Sequence, residues 1–214
     1  MALTTWSRRA FAVATIALGA MALDTGSANA RACIGPQVGF ALNDYLYGGS
    51  GTPPPRSFTP AFTGGLDMQF DAGAVGLDIS AIYDMQGASF DATTDYATTT
   101  SHNNYVAMPI LLKLNLVEGP TQVSLRIGPT VGLLVGATNS SGGSSVSATG
   151  NFRDFMLAGT AGLGVQFPLT GTMRLDVLAR TQISILRVDN FDDNEPVRNL
   201  SLQILIAPLF VVGR

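Results

Sequence analysis

Between positions 104 and 137 apolar and polar residues alternate along two long runs separated by Glu118-Gly119-Pro120-Thr121. On the first run Val106, Met108, Ile110, Leu112, Leu114 and Leu116 share one parity, against Tyr105, Ala107, Pro109, Leu111, Lys113 and Asn115. On the second, Val123, Leu125, Ile127, Val131, Leu133 and Val135 oppose Ser124, Arg126, Gly128, Thr130, Gly132 and Gly136. A period of two is the mark of a strand with one apolar and one polar face. Both runs are at least twice the usual strand of roughly 5–6 residues. A hairpin of this length and pattern restricts the chain to a large antiparallel sheet whose apolar face is covered by a core or by a membrane.

The same periodicity recurs at 34–47, 61–70, 74–86, 152–167, 172–188 and 197–212. With the two arms of the hairpin this predicts eight strands. The connections between them alternate long and short. Residues 48–60, 87–103, 138–151 and 189–196 are polar loops, whereas 71–73, 118–120 and 168–171 are tight turns by their chemistry. Long loops on one rim and short turns on the other are what an eight-stranded antiparallel up-and-down transmembrane β-barrel of the bacterial outer membrane requires. Pro36, Pro109, Pro129 and Pro208 fall within or near strands. A closed barrel has no free edge for them, so each is expected at a bulge or a strand end.

Alternation does not say which face points outward, but composition favours the apolar one. Charged residues are 13% of the chain, and Lys113 is the only lysine. A soluble barrel normally carries a charged exterior. Here the polar face is small, made of Gly, Ser, Thr and Gln with scattered Asp and Arg, which suits the inside of a narrow barrel. On that face Asp67, Asp78, Asp84 and Asp176 stand against Lys113, Arg126, Arg174 and Arg180. Enclosed charges must be paired or hydrated, so a barrel-interior charge network is expected rather than an open pore. Tyr45, Tyr47, Phe62, Phe70, Tyr105, Phe152, Phe155 and Phe167 lie near strand ends, as aromatic girdles do. Arg187 shares parity with Ile185 and is expected at the headgroup rim.

Residues 1–30 read as a secretory signal peptide: Arg8 and Arg9 form a basic start, 10–23 is apolar, and Ala28-Asn29-Ala30 is a small-x-small cleavage site. The apolar run is too short for a helical span, which needs roughly 20 residues. Ser7-Arg8-Arg9-Ala10-Phe11 also resembles a twin-arginine signal. Residues 31–214 then form the barrel domain. The slightly negative net charge offers no basic footprint for nucleic acid. One cysteine, Cys33, and one histidine, His102, exclude a disulfide framework within the chain and a multi-histidine metal site.

The hairpin also carries a family likeness. Asn104-Tyr105-Val106-Ala107-Met108-Pro109-Ile110-Leu111-Leu112-Lys113, followed by Gly128-Pro129-Thr130-Val131-Gly132, resembles the PorT-type outer-membrane β-barrel family. The departures are Ala107, where an acidic residue is common, and the end Phe210-Val211-Val212-Gly213-Arg214, where many outer-membrane barrels finish in an aromatic residue. The resemblance implies an eight-stranded barrel and no single activity.

No catalytic set stands out, and no cofactor is expected. Ser101-His102 is adjacent in sequence, so its side chains point apart on an extended chain, and no acid is positioned beside it. Asp189, Asp192, Asp193 and Glu195 are candidates for a divalent cation but lack the ligand spacing of a calcium loop. The expectation is a small outer-membrane barrel with a structural or surface-interaction role through its loops. Its expected partners are outer-membrane lipid and lipopolysaccharide, the barrel-assembly machinery, and an extracellular or envelope protein at the loops. Two alternatives stay open: a secreted, soluble lipocalin-like barrel holding an apolar ligand, and a lipid A-modifying enzyme.

Overall fold

The computed structural model describes residues 30–48, 55–91, 98–117, 119–190 and 196–212. Eight long strands dominate: β1 (Ala30–Tyr47), β2 (Thr59–Ala72), β3 (Val75–Phe90), β4 (Thr99–Val117), β5 (Gln122–Ser141), β6 (Phe155–Pro168), β7 (Met173–Ser184) and β8 (Val197–Val212). Each pairs antiparallel with its sequence neighbours, and β1 pairs with β8, so the sheet closes on itself. The expected segment 1–30 lies outside the described residues, apart from Ala30, which begins β1. The shortest strand, β7, has 12 residues. At ~3.3 Å per residue and a tilt of ~40° it rises about 30 Å, enough for an apolar band of ~25 Å.

At the loop rim β2, β3, β4 and β5 outrun the lengths read from the sequence, whereas β6 and β7 fall short of them, beginning at Phe155 and ending at Ser184. β4 begins at Thr99 and β5 ends at Ser141. Ser101, His102 and Asn103 are therefore strand residues rather than part of a polar loop. Above the barrel, Ser144–Ser147 folds back on the end of β5 through Gly142-Gly143, both at positive φ. Arg56–Ser57 lines the end of β3 in the same way.

The prolines do not mark bulges, which corrects the expectation above. Between β1 and β8 the pairing passes from Ile34↔Phe210 to Val38↔Ile206 without a change of register, and Pro36 and Pro208 sit in the gap. Between β4 and β5 it passes from Pro109↔Thr130 to Leu112↔Ile127, again in register, across Pro129. Pro129 keeps its pairing with Gly159 on the other side. A proline removes one N–H, and here the missing donors fall on the interrupted side of the ladder. The register shifts lie elsewhere, at Asn104/Tyr105 and Asn115/Val117.

Parity sorts the side chains as the composition argument requires. Val38, Phe40, Phe62, Leu66, Val106, Leu112, Leu133, Leu163 and Ile204 face outward and are exposed. Asp67, Asp78, Lys113, Arg126, Asp176 and Arg180 face inward and are buried. A soluble barrel would place the two sets the other way round. Phe155 and Phe167 are exposed near strand ends, where a girdle belongs. Tyr45, Tyr105 and Phe152 are corrections: they are 3%, 0% and 8% exposed, inside the barrel or its mouth. A tyrosine on the inward parity goes inward whatever its distance from a strand end, because the pleat decides its side.

Candidate functional site

The lumen is filled in tiers from the turn rim upward. At the rim, Arg31 on β1 bonds Asp71 at 3.2 Å and Gln122 Oε1 at 3.1 Å. Arg174 on β7 donates to the same amide oxygen at 2.8 Å. Lys113 Nζ lies 2.9 Å from Asp71 Oδ1 and donates to Gln69 at 3.0 Å. Gln69 in turn donates to Asp67 and Asp176. Next comes Arg126, fully buried between two carboxylates, Asp78 at 2.6 Å and Asp176 at 2.5 Å. These contacts join six strands, β1 to β5 and β7, through one continuous network.

Glycines on β6 make room for it. A Cβ at Gly164 would lie 2.6 Å from the Arg126 guanidinium, and one at Gly162 would lie 2.7 Å from Arg180 Cβ. The Arg126 guanidinium therefore lies against a stretch of wall that has no side chains on that face.

Higher up, glutamine amides make most of the hydrogen bonds around Arg180 and Asp84. Arg180 donates to Gln203 at 2.7 Å, and Gln203 donates to Asp84 at 3.0 Å. Asp84 also accepts from Gln86 and Gln182. Asp67 accepts from Gln69 and from Ser80 at 2.9 Å. Of the eight residues read as an interior charge network, Asp78, Lys113, Arg126 and Asp176 make ion pairs. Asp67, Asp84, Arg174 and Arg180 are held by neutral donors and acceptors instead. Asp71 and Arg31 were missed. The turn chemistry of 71–73 places Asp71 in a turn, yet it continues the strand and the parity of Asp67 and Gln69, and that parity is the signal that finds it. With both included, five lumen carboxylates face five cations.

Toward the loop end of the lumen, two apolar clusters are set among buried polar side chains such as Asn43, Gln86, Asn103 and Asn199. Ile82, Tyr105, Ala107 and Met156 pack together. Above them Tyr45, Ala88, Ala137, Ala148, Phe152 and Val188 form a second cluster. Phe152 reaches it because the chain after Ser147 turns inward through Thr149–Asn151 and pairs with Asp189 in an isolated bridge. Arg153 N–H donates to Val188 O at 2.8 Å, and Asn190 N–H donates to Asn151 O at 3.0 Å. Two loops thus clasp each other over the mouth. Ser101 Oγ, facing inward, accepts from the Tyr45 hydroxyl at 3.1 Å, and Asn103 donates to that hydroxyl. His102 lies on the opposite face of the strand and is half-buried, so the pair forms no dyad.

Asp189 holds this clasp. Its carboxylate accepts from Arg187 Nε at 3.1 Å and from Val197 N–H at 3.2 Å. Arg187, past the end of β7, is thus an ion-pair partner at the rim. Burial pushes the Asp189 carboxyl up, but the Arg187 hydrogen bonds and the Val197 amide outweigh it and hold it below its ordinary value. Because the folded-state value is the lower one, this stabilisation is complete above the ordinary aspartate range, ~3.9. It is lost as pH falls through the folded-state value. The Val197 amide proton is expected to titrate with a midpoint below ~3.9 in an NMR titration of the barrel in micelles, and Asp189→Asn is expected to abolish that titration. A midpoint at or above the ordinary value would contradict the assignment. Asp192, Asp193 and Glu195 lie outside the described residues. Among the described residues no group of three or more potential ligands is placed to hold a metal ion.

The family model for the outer membrane protein beta-barrel domain matches residues 24–186. No curated protein matches the chain. Among solved structures, Neisserial surface protein A is similar at 13% identity and a TM-score of 0.49, covering 84% of this chain and 98% of that one. OprG from Pseudomonas aeruginosa is similar at 11% identity and a TM-score of 0.45, covering 86% and 97%. Ail, the attachment invasion locus protein of Yersinia pestis, is similar at 14% identity and a TM-score of 0.41, covering 83% and 98%.

Proposed function

Because the chain belongs to the outer membrane protein beta-barrel domain family, we propose that it is a sealed, non-enzymatic outer-membrane anchor that presents its loop rim to the cell exterior. The observation that carries this is the occupied lumen: an ion-pair network below, an amide tier in the middle and an aromatic clasp across the mouth. Eight strands leave an interior just wide enough for side chains to fill, and here charged and aromatic side chains fill it. The loops and the rim strands remain as the surface on which a partner acts.

Residues 1–30 are proposed as the cleaved export signal, and lipopolysaccharide, the assembly machinery and a loop-binding protein as partners. The PorT-type relationship rests on the motif spanning Asn104 to Lys113 and Gly128 to Gly132.

Purified barrel reconstituted in planar bilayers is expected to give no stepwise conductance, and overexpression is expected to leave lipid A unchanged in mass. Regular single-channel steps would refute the sealed reading. Altered lipid A that reverts in His102→Ala would refute the non-enzymatic one.

A further inference from the structure

The lumen charges balance in number but not in place. In the tier nearest the turns, Arg31, Lys113 and Arg174 stand with one carboxylate among the described residues, Asp71. Arg31 and Lys113 both bond Asp71, which leaves Arg174 with the side-chain oxygen of Gln122. Arg31 donates to that same oxygen. Two guanidiniums thus converge on one neutral acceptor. Arginine only donates, so the amide is turned with its oxygen toward them, and both lone pairs of that oxygen are taken. What the three side chains still have to offer is N–H. Asp176, the next carboxylate inward, is already bonded through both its oxygens by Arg126 and does not supply the missing acceptor.

We propose that the turn-side mouth of the lumen binds one carboxylate between Arg31 and Arg174. A carboxylate is the acceptor that matches the paired N–H groups of a guanidinium. A doubly charged anion fits less well, because the Asp71 carboxylate lies against Arg31 in the same tier. The site is open: the Arg31 side chain is 24% exposed, and Arg174 and Gln122 are also partly exposed. All three share the inward parity, Arg31 with Cys33, Gln122 with Ser124 and Arg174 with Asp176, each of which is buried. The ligand therefore arrives along the barrel axis and not from the lipid around the wall. Its source rests on the orientation proposed above: with the loop rim outside, this mouth opens to the periplasm, which offers small free acids and the carboxylate ends of peptides.

NMR of the barrel in micelles, with its arginine side chains isotope-labelled, tests this. Sodium acetate replaces sodium chloride at constant ionic strength. The Arg31 and Arg174 side-chain N–H signals are expected to shift together and saturate, while those of buried Arg126 stay in place. N-acetyl-dialanine should act as acetate does, and its C-terminal amide should not. Arg174→Gln should weaken acetate binding about tenfold, the worth of one charge-assisted hydrogen bond. Gln122→Glu puts a carboxylate into the gap from within the chain. It should abolish the saturable shift and keep the heat-dependent gel mobility of a folded barrel. Shifts that do not saturate, or a folded Gln122→Glu barrel that binds acetate as the wild type does, would overturn the site. So would saturation seen only in Glu118→Gln, since Glu118, on the adjoining turn and outside the described residues, would then be the partner. Inorganic phosphate binding more tightly than acetate would overturn the carboxylate assignment. Tighter binding of the dipeptide than of acetate assigns the source to peptide ends, and equal binding assigns it to free acids; both uphold the site. Orientation is read separately, by labelling Val146→Cys on intact cells, so failure of the surface reading is distinguishable from failure of the site.

Discussion

Arg126→Leu is expected to lower the unfolding free energy of the barrel by about 3–5 kcal/mol, the cost of leaving buried charge without its partner. Two carboxylates lose their cation at once, and Asp78 and Asp176 are each 1% exposed. Neither can turn to solvent, since Arg126 is enclosed by the closed wall and by the Gly162–Gly164 slot. The triple change Arg126→Leu, Asp78→Asn, Asp176→Asn should recover much of the loss, because it removes the unpaired charges along with the cation. Urea titration in lipid vesicles, followed by heat-dependent gel mobility, measures both. A single variant as stable as wild type would mean that water, and not Arg126, solvates these carboxylates. The ion pair is not itself an argument for high stability; what is expected is a large penalty for breaking it.

Gly128→Val is expected to prevent closure between β4 and β5. A Cβ at Gly128 would lie 2.1 Å from the carbonyl oxygen of Ile110. That atom belongs to the backbone and cannot rotate away, so the strands must part. The cost should exceed the roughly 1–3 kcal/mol of ordinary overpacking. It falls where the ladder is already interrupted beside Pro129, so few neighbouring hydrogen bonds resist separation. The measurable result is loss of the folded, heat-shiftable band at 37 °C. A folded variant with an intact shift would mean that the gap absorbs a side chain. Gly159, where an added Cβ meets nothing within 4 Å and the backbone is not at positive φ, serves as the control for composition alone.

The two variants bear on different layers of what could be read from the chain. The strand count, the antiparallel order and the outward apolar face were legible, because period two couples sequence directly to the side of a sheet. The 197–212 run coincides with β8. Gly128 next to Pro129 was legible as a motif, but its reason, a close approach to the Ile110 carbonyl, belongs to the paired strand. The lumen was half legible. Parity placed Asp78, Lys113, Arg126 and Asp176 inside, but it could not say that Asp84 would be met by glutamines or that Arg174 would share Gln122 with Arg31. Apart from Gln86, which stands two residues from Asp84 on its own strand, these partners lie more than 40 residues apart in the chain, and their meeting depends on the stagger with which the barrel closes.

The mouth was the least legible part. Phe152 and Val188 stand at the ends of runs read as strands, yet the strands stop at Phe155 and Ser184, and nothing local marks Phe152, Val188 and Asp189 as neighbours. Their meeting requires two loops to be brought to the same rim by the strands that carry them. The order of residues is enough to say on which side of the wall each strand residue stands, since the pleat alternates with every residue. It does not say which inward residues meet, which prolines fall in gaps, or what covers the mouth. Those follow from closure and register, which belong to pairs of strands rather than to any one of them.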